Sequence, residues 1–218
     1  MDTIEWTPDI HSVKPEGPEV GIVASTFLNW QSSQKGLQQL EALCCFAHSI
    51  RAQRYDNWRL LLVHDGPIDL DTDLQVIKDL VKSDSRMSFK HTPTRANQFG
   101  HNLRHKFACE LDVPYLLMTN SDNYYVPTFL AWMVSGLVKY SADLVMCDML
   151  HSHRSYKTIK TQPARGFVDI GNWIAASNLV KSTQWQDFSF AGDWSFFSSL
   201  YSKARKTVHI PTALFVHN

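Results

Sequence analysis

The chain has 218 residues, is 44% hydrophobic and carries 21 basic and 21 acidic side chains, which suits one sizeable buried core. The charges cancel and no dense Lys/Arg run appears, which excludes the electrostatic grip that nucleic acid demands. No apolar run approaches the roughly 18 residues of a membrane span, and the acidic opening MDTIEWTPDIHS has no apolar core of a secretory signal, so a cytoplasmic location is expected.

In chain order, Val20 to Ser25 (VGIVAS) is a short apolar run that predicts a strand. Gly36 to Gln53 places Leu37, Leu40, Cys44, Ala47 and Ile50 at helical spacing. Arg59 to Val63 predicts a second strand, Leu70 to Lys82 a helix with Leu74, Ile77 and Val81 inward, and Arg86 to His91 a further strand. Gln98 to Leu111 has a helical pattern, Tyr115 to Thr119 the pattern of a buried strand, and Pro127 opens a helix over Thr128 to Tyr140. Ala142 to Met149 follows as a strand, and His151 to Arg165 (HSHRSYKTIKTQPAR) is a polar, basic stretch, either a loop over a site or a solvated connection. A helix starts at Asp193 (GDWSFFSSLYSKAR) with Phe197, Leu200 and Tyr201 inward, and Val208 to His217 predicts an edge strand or an extended segment. Cys44, Cys45, Cys109 and Cys147 form no C-x-x-C pair, so buried free thiols are expected.

Apolar runs without polar alternation, separated by helices, are what a sheet covered on both faces requires. The expected fold is α/β, with a mostly parallel central sheet flanked by helices. Ligands bind such sheets outside the carboxyl ends of the strands. Three strands end there in polar clusters: Ser25-Thr26-Phe27-Leu28-Asn29, His64-Asp65-Gly66 and Asn120-Ser121-Asp122-Asn123. Each cluster alone is ordinary turn chemistry; three at the same end of successive strands indicate a site.

Ser49 to Gly66 resembles the family 2 glycosyltransferases of the GT-A fold, whose first half reads S-I-x-x-Q-x-Y-x-N-x-E-L-I-I-V-D-D-G-S; Ser49, Ile50, Gln53, Tyr55, Asn57, Val63, Asp65 and Gly66 match in register. Upstream, Ser25-Thr26-Phe27 and Asn29 resemble the family's P-T-Y/F-N opening. His101-Asn102 with Ala108 resembles its A-R-N-x-G-x-x-x-A segment, Asn120 to Pro127 stands where the family has D-x-D-D-x-x-x-P, and Gly192-Asp193-Trp194 resembles the late G-E/D-D-W segment. The ordered set runs from Val20 to about Lys203 and implies a single GT-A domain over 1–218, with a nucleotide-sugar donor half at 19–126 and an acceptor and catalytic half at 127–218.

The resemblance implies a UDP-sugar donor in preference to a GDP-sugar, a hydroxyl acceptor, and Mn²⁺ or Mg²⁺ to neutralise the leaving diphosphate. By carry-over Asp122 is the principal metal ligand, Asn120 and Ser121 face the ribose or the metal's water shell, Asp65 bonds the base, and Ser25, Thr26 and His101 belong to the donor site. Asp193 is implied as the general base, while its place before an apolar-periodic run equally suits a helix N-cap. Trp173 and Trp194 are implied acceptor contacts, the alternative being packing.

The chain departs from the pattern at three places. Asn120 replaces the first acid of D-x-D, His64 the first acid of D-D-G, and His101 the arginine before the asparagine. An amide coordinates without charge, so a compensating ligand is expected, and His217 is the candidate beside the alternative of a surface histidine; a metal held mainly by the substrate is the other solution. These departures also suit a catalytically degenerate binding module for nucleotide sugar or glycan. A nucleotidyltransferase is the remaining alternative, weakened by the lack of a glycine-rich phosphate loop beyond Lys35-Gly36.

Overall fold

The computed structural model describes residues 3–9, 17–28, 33–68 and 71–218. Asn29, Leu70 and the side chain of Leu37, named above, lie outside the described residues. The first elements are β1 (Thr3–Glu5), β2 (Val20–Thr26), α1 (Ser33–Arg51), β3 (Trp58–His64), α2 (Asp71–Lys82) and β4 (Met87–His91). They continue as α3 (His101–Glu110), β5 (Tyr115–Asn120), β6 (Tyr124–Tyr125), α4 (Phe129–Tyr140), β7 (Leu144–His151) and β8 (Lys157–Ile159). The chain ends through β9 (Trp173–Ala176), α5 (Ser177–Lys181), α6 (Gly192–Lys203) and β10 (Thr207–His217).

The sheet runs β1-β10-β7-β9-β5-β2-β3-β4, with β6 added beside β10 and β8 beside β7. β2 is buried along its whole length because it lies between β3 and β5, which explains its unbroken apolar run. Both pairings are parallel, with Ser25 opposite Asn120 and Thr26 opposite His64, so all three polar clusters stand on one rim. Each face of the sheet is covered. Leu43, Phe46, Ile50, Leu130 and Met133 of α1 and α4 pack on one side. Leu103 and Phe107 of α3 with Phe196, Phe197 and Leu200 of α6 pack on the other.

Three expectations are corrected. β10 is not an edge strand: it pairs in parallel with both β1 and β7, because the short Thr3–Glu5 strand covers its outer side. The sheet is mostly parallel as expected, and its antiparallel pairs include β9 between β5 and β7, whose four residues are too few to carry a periodicity. α3 begins three residues later than its pattern, since Asn97 (φ 63°), Phe99 (φ 49°) and Gly100 (φ 74°) are left-handed. Of the four free cysteines only Cys147 is buried; Cys45 and Cys109 are exposed on outward helix faces. Among the described residues no helix is long and apolar enough to cross a membrane.

Candidate active site

Two clefts open at the carboxyl ends of β2, β3, β5 and β7. The first, of about 640 Å³, is lined by Ser25, Thr26, Asp65, Asn120, Ser121 and Asp122 from the three clusters, with Arg95 from the β4–α3 loop. Asp65 does not point a free carboxylate into it. Its Oδ1 accepts from the Ala96 amide at 2.7 Å and its Oδ2 from the Asn97 amide at 2.9 Å, so the acid after β3 holds the 92–100 loop in place. That loop lays Arg95 over the Phe27 ring, 3.3 Å from its centroid, on the cleft wall.

His64, the departure from an acidic pair, is a buried brace. The Leu28 amide donates to its Nε2 at 3.0 Å, so its Nδ1 carries the proton and donates to the Gly66 carbonyl at 2.8 Å. A neutral imidazole thereby ties the ends of β2 and β3 together, a task a carboxylate cannot perform because it has no proton to give Gly66.

The second cleft, of about 370 Å³, is lined by Asp193 and Trp194 of α6, Asp169, and a histidine group from the end of β7 and β10. Ala191, not Asp193, occupies the N-cap of α6. Asp193 sits inside the first turn and its carboxylate turns to α3, with Oδ1 lying 3.4 Å from Arg104 Nη2 and 3.3 Å from His101 Nδ1.

Arg104, on no sequence motif, is the centre of the arrangement. It is fully buried, and its Nη1 donates to Ser25 Oγ at 2.8 Å, to the Phe99 carbonyl at 3.1 Å, and to Asn120 Oδ1. Its Nη2 donates to His101 Nδ1 at 2.9 Å as well as to Asp193. Since an arginine only donates, His101 Nδ1 is an acceptor, and the ring proton is on Nε2, bonded to the Ser189 carbonyl at 3.0 Å. His101 is therefore neutral, stacked on Trp185 at 4.3 Å, and lines the second cleft and not the first.

Burial lowers the pKa of Arg104, and Asp193, Asp169 and Asp122 oppose that shift. Asp169 is buried, with Oδ1 accepting from the Gly171 amide at 2.9 Å and Oδ2 3.6 Å from His217 Nε2; desolvation, aided by the Asp193 charge, pushes it up to about 6. Asp122 opens into the first cleft, where desolvation by the walls raises its pKa against the pull of His217 and Arg104. His217 stacks on His151 at 4.0 Å, and His151, desolvated and facing His217, His153 and Arg154, is lowered to about 4.

The family model for Glycosyl transferase family 2 matches residues 41–203, most of the chain and every strand-end cluster after the first. The chain belongs to glycosyl transferase family 2. A search of curated proteins finds no match. Among solved structures, S. aureus TarS 1-349 superposes with a TM-score of 0.69 at 14% identity, covering 92% of this chain and 60% of that one. TarS 1-349 in complex with UDP-GlcNAc gives 0.70 at 14%, covering 91% and 58%. The mannosyltransferase PcManGT from Pyrobaculum calidifontis, in complex with GDP-Man and Mn²⁺, gives 0.65 at 12%, covering 94% and 58%. At such identities the likeness establishes the GT-A fold, and the chain spans about 60% of the length of these structures.

Members of this fold that use a divalent cation need oxygen or nitrogen ligands beside the diphosphate. Among the described residues no group of three or more His, Cys, Asp or Glu converges on one point. Asn120 Oδ1 is engaged by Arg104 and Ser25. Asp122 is open to the cleft, and the buried His217 Nδ1 has no hydrogen-bond partner among the described residues. Asp122 lines the first cleft and His217 the second; the Asp122 carboxylate suits a cation that takes its other ligands from substrate phosphate and water, as Mg²⁺ commonly does.

The family's other implied residues distribute unevenly. Ser25, Thr26, Ser121 and Asp122 line the first cleft together; Asp193, His217 and Trp194 line the second. Trp173 lines neither: it is fully buried against Phe196 and Phe197, a core residue whose ring cannot reach an acceptor. Arg104 and Asp169 were missed, and His151, His153 and Arg165 were named only as part of a polar stretch that was either a loop over a site or a solvated connection. The HSHR run was the one available signal for the histidines; a lone arginine in a helical run and an aspartate between Val168 and Ile170 carry none.

Proposed function

We propose that this chain transfers a hexose from a UDP-sugar to a hydroxyl acceptor with inversion, Asp193 acting as general base and the donor coming from the cytoplasmic nucleotide-sugar pool. The observation that carries this reading is the adjacency of the two clefts. Asp122 opens into one and Asp193 into the other, and both clefts are lined by Asn120. A donor diphosphate held beside Asp122 would present its anomeric carbon toward Asp193. The acceptor oxygen forms the new C–O bond there as the bond to UDP breaks; the hydroxyl proton passes to the Asp193 carboxylate, and UDP leaves with the electron pair.

A bound Mn²⁺ or Mg²⁺ would supply charge neutralisation of the departing diphosphate. Asp122 would hold it, with His217 as the second candidate ligand, and Arg104 aims the Asp193 carboxylate. The UDP-GlcNAc complex of TarS supports a uridine nucleotide, and the GDP-Man complex of PcManGT keeps guanosine donors in the test. Within this proposal residues 19–126 serve the donor and 127–218 the acceptor and the base, with Trp194 at the acceptor cleft.

The test is nucleotide release from a panel of UDP- and GDP-sugars with and without Mn²⁺, for wild type and Asp122→Ala. Metal-dependent release of UDP from one or two sugars, lost in Asp122→Ala, supports the reading. UDP binding without release from any donor would replace it by a catalytically degenerate binding module, which the engagement of Asn120 by Arg104 favours over the standard metal turn.

A further inference from the structure

Of the described residues only Phe99 and Asn120 line both clefts. Asn120 is tied down from below by Ser25 and Arg104. The Phe99 ring is not: the residue is 58% exposed, at the boundary between the Asp122 cleft and the Asp193 cleft. We propose that the Phe99 ring is the face on which the pyranose being transferred lies, which makes it a specificity-determining residue of the donor site; this rests on the donor reading above.

The backbone is built to present that ring. Phe99 has φ 49°, a conformation that L side chains, bulky ones above all, rarely adopt, and Asn97 and Gly100 on either side are also left-handed. Three contacts hold the conformation. The Asp65 carboxylate accepts the Ala96 and Asn97 amides, the Phe99 carbonyl accepts from Arg104 at 3.1 Å, and Gly100 comes so close to β2 that an added Cβ would lie 2.4 Å from Ser25 Oγ. Nothing in the core needs an aromatic side chain there: the ring points outward, meeting Phe190 edge to face at 6.0 Å on the far wall of the second cleft. An exposed aromatic held in a rare conformation by buried charged groups indicates a contact made by a ligand.

The position dictates the ligand. In a transfer from a diphosphate beside Asp122 to an acceptor beside Asp193, the sugar ring must span the boundary, and Phe99 is the aromatic surface there. A pyranose has a C–H face that packs on an aromatic ring, while its hydroxyls stay at the rim for polar groups. Phe190, 78% exposed, closes the acceptor side of the same surface.

The test compares dissociation constants for UDP and for UDP-GlcNAc, UDP-glucose and UDP-galactose by calorimetry, in wild type, Phe99→Ala and Phe99→Tyr. Phe99→Ala should weaken the preferred UDP-sugar about 3- to 10-fold relative to UDP, whose own affinity stays unchanged, and Phe99→Tyr should restore it. Wild-type UDP binding with a UDP-sugar to UDP ratio unaltered by Phe99→Ala would overturn the sugar-face assignment alone. Parallel loss of UDP and UDP-sugar would overturn it too, since the ring would then be bracing the loop. A wild type that binds no UDP would overturn the donor reading and this inference with it.

Discussion

Arg104 Nη2 lies 3.4 Å from Asp193 Oδ1, and the same fully buried guanidinium donates to Asn120 at the end of β5. One cation from α3 thus joins the turn that faces the first cleft to the first turn of α6 that faces the second. Its Nε proton has no partner among the described residues, so burial costs energy that the hydrogen bonds of its Nη atoms and the surrounding carboxylates offset.

Arg104→Met should therefore be strongly destabilising, by about 3–5 kcal/mol, because it strands buried acceptors and carboxylates without their cation. Arg104→Lys should recover little of it, since an ammonium cannot spread donors over Asn120, His101 and Asp193. Urea unfolding of the three proteins checks this; a midpoint within error of wild type for Arg104→Met would contradict the central role of the guanidinium.

Asp193→Asn keeps an oxygen for Arg104 but cannot take a proton. Transfer should fall about 10²- to 10⁴-fold with the dissociation constant for UDP unchanged. Single-turnover release of UDP alongside a UDP titration measures both; near-wild-type transfer would remove Asp193 from the role of base.

Asp169 and His151 set opposite slopes of stability against pH. Asp169, raised to about 6, binds its proton more tightly folded than unfolded, so its contribution grows on acidification from about pH 6 toward 4. His151, lowered to about 4, resists protonation in the fold, so its contribution is lost on acidification from about pH 6.5 toward 4. Asp169→Asn should leave the histidine effect unopposed and lose melting temperature more steeply than wild type between pH 6.5 and 4.5. His151→Asn should lose it less steeply. Melting curves across that interval decide the matter, and parallel slopes in all three proteins would refute the assignment.

The two tryptophans of the late segments should behave differently. Trp173→Ala removes a fully buried ring packed between Phe196 and Phe197 and should cost about 3–5 kcal/mol of stability. Trp194→Ala, on the wall of the second cleft, should chiefly raise the acceptor KM. The comparison needs a denaturation curve and an acceptor saturation curve for each; a stability loss in Trp194→Ala as large as in Trp173→Ala would place both in the core.

Much of the sheet was readable because its strands carry apolar runs of four or five residues and helices separate them. β9 and β6, with four and two residues, lie below the length at which a period can be seen, and β10 reads as an edge because the strand covering it comes from the opposite end of the chain. The first cleft was largely legible, since Ser25, Asp65 and Asp122 each follow a recognisable strand. The second was legible only at His101, Asn120, Asp193, Trp194 and His217.

The sequence by itself determined the alternation of buried strands and amphipathic helices, and with it the parallel α/β sheet and the polar ends of β2, β3 and β5. Those are local properties, written in periods of two and 3.6 residues and in turn chemistry. The tertiary structure alone decided that Asp65 would spend its oxygens on the 92–100 loop, that His64 would be a neutral brace, and that Arg104 would reach Asn120 and Asp193 together. Hydrogen bonds between residues 16 to 89 positions apart have no periodicity to read; burial of a charge selects its partners only once the sheet has brought them within reach.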